Sequence, residues 1–150
     1  MAAQSDLDRV YLKMAEDLST LSHAKRRKVG CLIVKDTQII SEGYNGTPCG
    51  FDNNCEYIDH VDEMYTKPEV LHAESNAITK LARSTNSSEG ATMYVTCSPC
   101  FDCAKLIIQA GISRVVYQNL YTNKNCMEAL ALLSKAHISL TQIKKIKEVA

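Results

Sequence analysis

The chain has 150 residues, of which 45% are hydrophobic and 23% are charged, a composition that predicts one globular domain over residues 1–150. Its 17 basic and 17 acidic residues give a net charge of zero. The protein as a whole therefore does not attract nucleic acid or an anionic membrane surface electrostatically. No apolar run is long enough to cross a bilayer, and the N-terminal residues lack a signal-peptide pattern, so we expect a cytoplasmic location, in the host cytoplasm if the source is a virus.

The first predicted element is an amphipathic helix over residues 5–23, with Ser5 as its N-cap. Its apolar side chains recur at steps of three and four: Leu7, Val10, Tyr11, Met14, Leu18 and Leu21. A strongly basic loop follows at residues 25–28.

A β-hairpin and a long loop are predicted next. Two apolar runs, at 29–34 and 38–44, flank a short polar segment and predict the hairpin. Residues 43–56 are rich in Gly, Asn, Pro and Asp, which indicates a structured loop. Irregular loops of this length are more often functional than idle.

The rest of the chain predicts three helices that alternate with three strands. The helices are expected at 72–84, 99–110 and 124–136, and the strands at 91–96, 114–118 and 138–142. Pro99 is expected in the first turn of the middle helix and Gly111 just past its end. The order of elements predicts an α/β fold with three α-β-α layers, in which a mixed sheet of about five strands has helices on both faces.

Seven cysteines, an odd number in a chain expected to be in a reducing compartment, favour metal ligands or buried thiols over a disulfide framework. Three of them stand in the run VTCSPCFDC at 95–103. An iron–sulfur cluster would need a fourth nearby cysteine, and none lies between Cys103 and Cys126. A thioredoxin-like redox pair would leave the His-Ala-Glu run at 72–74 unexplained. Cys97 ends the preceding strand, so we expect it to pack as a small apolar side chain rather than to bind metal.

Together, the two motifs match zinc chemistry. On a helix, Cys100 and Cys103 lie one turn apart, so both thiolates reach one ion, and His72 supplies a third ligand. Three protein ligands leave the fourth position of zinc open for water, which is the pattern of a catalytic site. Glu74 is placed to move the protons of that water. The spacing H-x-E followed by P-C-x-x-C is the known signature of zinc-dependent deaminases. The alternatives are a structural zinc with a fourth protein ligand, or ordinary core cysteines.

The chain resembles the deoxycytidylate (dCMP) deaminases of the cytidine-deaminase superfamily, and phage enzymes in particular. Besides the two motifs above, KVG at 28–30, GYNGTP at 43–48 and EGATMYVT at 89–96 carry the similarity. The resemblance implies a cytidine-deaminase-like fold and the hydrolysis of dCMP to dUMP and ammonia, a source of thymidylate precursors. It also implies that the three ligands named above hold one catalytic zinc and that Glu74 is the proton shuttle.

The resemblance further implies a set of substrate contacts. The backbone amide of Ala73 and the carbonyl of Ser98 correspond to groups that hold the edge of the pyrimidine. Asn45 corresponds to a residue that grips the sugar, and Tyr121 to a nucleotide-binding tyrosine. The 5′-phosphate needs cationic or backbone donors, and the basic group nearest in sequence to the sheet edge could supply them. The alternative is that this group is only a solvated loop. Its members are Arg26, Arg27 and Lys28.

Regulation and assembly are implied by the resemblance alone. Such enzymes are commonly hexamers, activated by dCTP and inhibited by dTTP, and we expect the same here, with Mg²⁺ accompanying an effector triphosphate. The regions implicated in effector binding and subunit contact include Gly43, Tyr44, Gly46 and Arg83.

The chain also departs from some phage relatives, which bind a second, structural zinc. Three ligand positions of that site are occupied here by Ala24, Asn54 and Val70, so we do not expect it. A different second site could still be built from Cys49, Cys55 and His60. The basic run at 144–147 is interpreted as a solvated surface.

Three other functions stay open. The same pocket could act on dCTP, alone or together with dCMP. Editing of a polynucleotide or tRNA would need a basic groove and stacking aromatic residues, which zero net charge, the absence of Trp and only two Phe argue against. A non-catalytic zinc-binding module would need Cys97 or a partner as the fourth ligand.

Overall fold

The computed structural model describes residues 1–145, and Ile146 and Lys147 of the basic C-terminal run lie outside them. The helices are α1 (Gln4–Ser19), α2 (Ala73–Leu81), α3 (Phe101–Gln109) and α4 (Lys124–Lys135). The strands are β1 (Gly30–Lys35), β2 (Gln38–Tyr44), β3 (Glu56–Ile58), β4 (Met64–Thr66), β5 (Thr92–Cys97), β6 (Arg114–Asn119) and β7 (Ser139–Gln142). Within the described residues, the helices are all too short or too polar to cross a membrane.

A mixed five-stranded sheet with helices on both faces confirms the predicted α/β fold. Its strand order is β2-β1-β5-β6-β7; β1 pairs antiparallel with β2 and β5, whereas β5, β6 and β7 run parallel. Neighbouring residues of a strand point to opposite faces. Leu32 and Tyr94 accordingly pack under α1 on one face, while Ile33 and Val95 pack under α2, α3 and α4 on the other.

The β1–β2 hairpin forms at the predicted place. Its two connecting residues, Asp36 and Thr37, both have positive φ, 50° and 63°. This is the turn geometry whose twist matches that of the two strands. All of β1 except Lys35 is buried, because helices cover both faces of the sheet at that strand.

Helix α1 differs from its prediction in both its start and its buried face. It begins at Gln4 with Ala3 as N-cap and no side-chain cap, so Ser5 lies inside the helix. The buried residues are Asp8, Leu12 and Ala15, while part of the predicted apolar stripe is exposed. A long-range ion pair decides this face, because the Asp8 carboxylate accepts two hydrogen bonds from the Arg114 guanidinium at 2.7 and 2.6 Å.

A second hairpin, β3–β4, begins at the end of the predicted loop and continues through residues to which the sequence analysis assigned no element. Glu56 is paired with Thr66 in its register, and the rings of Tyr57 and Tyr65 stack at 5.5 Å. The hairpin is tied to the basic loop at 25–28, since Glu56 Oε1 accepts hydrogen bonds from the backbone N–H groups of Lys25 and Arg26. It therefore brings acidic and basic groups together beside the sheet.

Candidate active site

The N-termini of α2 and α3 converge at the end of β5. His72 is the N-cap of α2 and Cys100 the N-cap of α3, with Cys103 in the first turn of α3. Pro99 precedes the cap instead of lying in the first turn, so that prediction is wrong by two positions. Proline suits the place before the cap, since it lies outside the helix, where its missing N–H is not needed.

The three predicted ligand side chains come together as one potential metal group. The Nδ1 atom of His72 lies 3.4 Å from Cys100 Sγ and 3.3 Å from Cys103 Sγ, and the three ligand atoms all lie within 4.8 Å of one another. Tetrahedral zinc with bonds of about 2.0–2.3 Å separates its ligand atoms by roughly 3.5–3.8 Å. The donor set and its spacing therefore fit zinc, with one coordination position left for a fourth ligand.

The pKa values of the two thiols are shifted in opposite directions. The hydrogen bond from the Cys103 thiol lowers the pKa of Cys100 to about 4, assisted by His72 and by the backbone N–H of Cys103. Donating that hydrogen bond, together with burial, raises the pKa of Cys103. The hydrogen bond to Cys100 raises the pKa of His72. A bound cation would favour the thiolate form of both cysteines, because metal-ligating cysteines are thiolates.

Glu74 is buried beside this group, with 4% of its surface exposed. Burial raises the pKa of its carboxyl group, against the opposing attraction of His72. The side chain lines the same cavity as His72 and Cys100. A carboxyl whose pKa is moved toward neutrality is suited to taking up and giving back a proton.

A cavity of about 370 Å³ lies over the ligand group. Of the predicted substrate and phosphate residues it is lined by Asn45, Ala73, Ser98, Tyr121, Arg26 and Arg27. Lys28 is exposed and does not line it. The structure therefore brings two of the three predicted phosphate residues to the cavity and leaves the third in solvent.

Asn45 and Tyr121 hold the basic loop against the cavity. The Oδ1 atom of Asn45 accepts a hydrogen bond from the Val29 N–H at 2.9 Å, and its Nδ2 donates to the Arg27 carbonyl at 2.8 Å. The Arg27 guanidinium lies 4.0 Å from the centroid of the Tyr121 ring, a cation–π contact. The Tyr121 backbone N–H donates to Ser98 Oγ at 2.9 Å.

Several cavity residues were not singled out from the sequence as part of the site. They are Val29, Glu56, Thr66 and Cys126, together with Ala24, Val70 and Cys97, to which the sequence assigned no substrate contact. Cys97 is buried, as expected, but its Sγ also lies 2.9 Å from the Tyr121 hydroxyl. Glu56 and Thr66 belong to the unpredicted hairpin, so no sequence signal placed them here.

The structure places two of the four predicted effector residues at a cavity and the other two elsewhere. Tyr44 and Gly46 line a second cavity of about 330 Å³, which shares Asn45 with the first. Gly43 instead packs against α2, where an added Cβ would lie 2.6 Å from the Ala73 carbonyl oxygen. Arg83 is exposed beyond the end of α2 and lines neither cavity.

A second metal site does not form from the cysteines of the long loop. Over residues 1–145, the one cluster of three or more His, Cys, Asp or Glu side chains spaced to hold a cation is the group at α2 and α3. Cys49 and His60 are exposed and Cys55 is buried, and they do not belong to such a cluster.

Comparison with known proteins identifies the family. The family model described as "cytidine and deoxycytidylate deaminase zinc-binding region" matches residues 5–119, which include every residue of the ligand group and Glu74. The chain belongs to this deaminase family. The family resemblance predicted from the sequence is therefore confirmed.

Individual relatives and solved structures agree with this membership. The deoxycytidylate deaminase of Enterobacteria phage T4 is 37% identical over 147 residues, covering 73% of this chain and 76% of that protein. The yeast enzyme of the same name is 33% identical, and this chain spans 46% of its length. The crystal structure of the dCMP deaminase of cyanophage S-TIM5 in complex with dCMP and dUMP superposes with a TM-score of 0.85 at 38% identity, over 95% of this chain and 100% of that one. A tRNA:A34 deaminase structure, at 17% identity and a TM-score of 0.56, shares the fold.

Proposed function

We propose that residues 1–150 form one zinc-dependent nucleotide deaminase domain that hydrolyses dCMP to dUMP and ammonia. The observation that carries this proposal is a three-ligand group beside a buried carboxyl, in a cavity that also holds two arginines. The names of the phage and yeast relatives, and the dCMP and dUMP bound to the cyanophage enzyme, support dCMP as the substrate.

His72, Cys100 and Cys103 would hold the zinc, which when bound makes water acidic enough to attack near neutral pH. Glu74 takes the proton that the attacking water loses and delivers protons to the ring nitrogen and to the departing amino group. The reaction consumes one water and releases one ammonia for each dUMP formed. Burial of Glu74 supports this role, because it raises the pKa of the carboxyl group above that of an exposed glutamate.

The remaining contacts are proposed for residues that line the cavity. The backbone N–H of Ala73 and the carbonyl of Ser98 hold the edge of the base, while Asn45 and Tyr121 face the sugar. Arg26 and Arg27 bind the phosphate, since they are the arginine or lysine side chains that line the cavity in the described part of the chain. Lys28 has no place in this arrangement.

A substrate panel tests the proposal. Ammonia release is measured for the zinc-loaded protein with dCMP, dCTP and deoxycytidine under identical conditions. We expect dCMP to be turned over with the highest kcat/KM. Activity on the unphosphorylated nucleoside alone would overturn the assignment of a nucleotide substrate, and preference for dCTP would replace dCMP by the triphosphate.

We further propose that dCTP activates and dTTP inhibits a homohexamer of this chain. The second cavity supports an effector site, because it is lined by Tyr44 and Gly46 and shares Asn45 with the first cavity. The test is dCMP turnover with each triphosphate, with and without Mg²⁺, together with the molar mass in solution. Turnover that is unaffected by both triphosphates would refute the regulation.

A further inference from the structure

We propose that Glu56 makes the deaminase selective for nucleoside monophosphates, by holding a fixed negative charge beside the arginines that bind the single phosphate. This inference rests on the proposed function, in which a cytosine nucleotide occupies the cavity. It assigns to Glu56 the rejection of nucleotides that carry a second or third phosphate.

Glu56 lies directly at the basic loop. Its Oε1 accepts hydrogen bonds from the backbone N–H of Lys25 at 2.7 Å and of Arg26 at 3.1 Å. Its partner across the hairpin is Thr66, whose Oγ1 accepts a hydrogen bond from the Arg26 guanidinium at 3.3 Å. Glu56, Arg26 and Thr66 all line the cavity. The carboxylate therefore adjoins the arginine that would bind the first phosphate.

The charge of Glu56 is not neutralised by a cationic side chain. Among residues 1–145, neither Arg26 nor Arg27 forms an ion pair with a carboxylate within 4.0 Å. The two guanidinium groups consequently keep their positive charge for a phosphate. In the described part of the chain, the hydrogen bonds that the Glu56 carboxylate accepts come from two backbone N–H groups.

The position of the carboxylate is fixed by two constraints. Its backbone is paired in β3, and its side chain would break two hydrogen bonds to the basic loop if it turned away. Glu56 is also only partly exposed. In such a setting, like charges repel more strongly than in bulk water. In the proposed arrangement, the two arginines offset this repulsion for the first phosphate, whereas a second or third phosphate adds negative charge that they do not offset.

The other acidic residues do not offer the same effect. Glu74 is the only other carboxylate among the cavity-lining residues in the described part of the chain, and it serves the ligand group. Glu63 lies on the same hairpin but is exposed, accepts a hydrogen bond from Tyr65 and does not line the cavity. Glu63 therefore provides a matched control, because it is a glutamate of the same hairpin that lies outside the cavity.

The test compares three substrates in three proteins. The zinc-loaded wild-type protein, Glu56→Gln and Glu63→Gln are assayed with dCMP, dCDP and dCTP, with the deaminated nucleotides separated and quantified. Gln at position 56 keeps an oxygen acceptor for the two backbone N–H groups but removes the charge. We expect the ratio of kcat/KM for dCDP to that for dCMP to rise about tenfold or more in Glu56→Gln, because one like-charge repulsion is removed. The ratio in Glu63→Gln should equal that of the wild type.

The substrate ratio separates selectivity from a structural effect. A loss of folding or of loop order lowers kcat/KM for all substrates together and leaves the ratio unchanged, which would overturn the inference. A second variant, Thr66→Lys, leaves Glu56 in place and adds a cation opposite it, and the ratio should again rise. The diphosphate is the main probe because dCTP is also the proposed effector.

Failure of this inference differs from failure of the proposed function. If the wild-type protein deaminates dCMP and the ratio does not change in Glu56→Gln, Glu56 is not the selector and the deaminase stands. If the wild type already accepts dCDP as well as dCMP, selectivity is absent and the inference is wrong. If the wild type does not deaminate dCMP, both the function and the inference fall.

Discussion

The buried ion pair between Asp8 and Arg114 gives a quantitative prediction of stability against pH. Asp8 is 3% exposed. Burial alone would raise the pKa of its carboxyl group, but hydrogen bonds from Arg114, Tyr94 and Gln4 outweigh it and lower the pKa from 3.8 to about 2. At about 1.4 kcal/mol for each unit, this depression stabilises the folded state by about 2.5 kcal/mol at neutral pH.

The sign of the pH dependence follows from the depressed pKa. Because the folded protein binds the proton less tightly than the unfolded chain, the stabilisation is complete above the unfolded value of 3.8 and is lost as the pH falls toward 2. We expect Asp8→Asn to lower the free energy of unfolding by about 2–3 kcal/mol at pH 7, because the substitution removes the carboxylate charge and leaves the Arg114 guanidinium without its ion-pair partner. The difference from wild type should shrink as the pH falls from about 4 to about 2.

The assay is urea denaturation of both proteins at a series of pH values from neutral to acid. Loss of zinc at low pH affects both proteins, so it cancels in the difference between their free energies of unfolding. Asp6→Asn is the matched control, since Asp6 lies on the same helix and forms an exposed ion pair with Arg9. A difference that stays constant down to pH 2, or an equal loss in Asp6→Asn, would refute the reasoning.

Four further outcomes are expected at the site and in the core. Glu74→Gln should retain zinc, measured by elemental analysis, and lose turnover by about 10²–10⁴-fold, because proton transfer is removed; unchanged turnover would reject its role. Cys103→Ala should be isolated without stoichiometric zinc, since two ligands remain. Cys97→Ala should keep zinc and raise KM by roughly two- to tenfold, because it removes one hydrogen bond to the Tyr121 hydroxyl. An unchanged KM would show that the thiol only fills space. Gly30→Ala should lower the free energy of unfolding by about 1–3 kcal/mol or prevent folding, because its Cβ would overlap the backbone carbonyl of Ala15; a wild-type denaturation midpoint would contradict this.

The ligand group and the sheet could be predicted because their signals are local. His72, Glu74, Cys100 and Cys103 lie in two short motifs, each at a boundary between an extended segment and a helix. Ligand spacing along one helix turn needs no knowledge of the rest of the chain. The apolar runs of β1, β5 and β6 are buried on both faces, and such runs are visible without knowing their partners.

Features that depend on distant pairing could not be predicted. The buried face of α1 follows from an ion pair between Asp8 and Arg114, which are 106 positions apart. The β3–β4 hairpin has strands of three residues whose side chains are mostly exposed, so it carries no apolar alternation. Glu56 and Thr66 were missed for this reason, and with them the acidic side of the cavity.

The basic loop and the ligand group are held in place by different parts of the fold. Arg26 and Arg27 are positioned by Glu56 of the hairpin, by Asn45 at the end of β2 and by the ring of Tyr121. The ligand group is positioned instead by the first turns of α2 and α3. If Arg26 and Arg27 bind the phosphate as proposed, substitutions in the hairpin would alter which nucleotides are recognised and would leave the ligand group unchanged. On that proposal, substrate range and catalysis depend on separate parts of the fold, so the first could change in evolution while the second is kept.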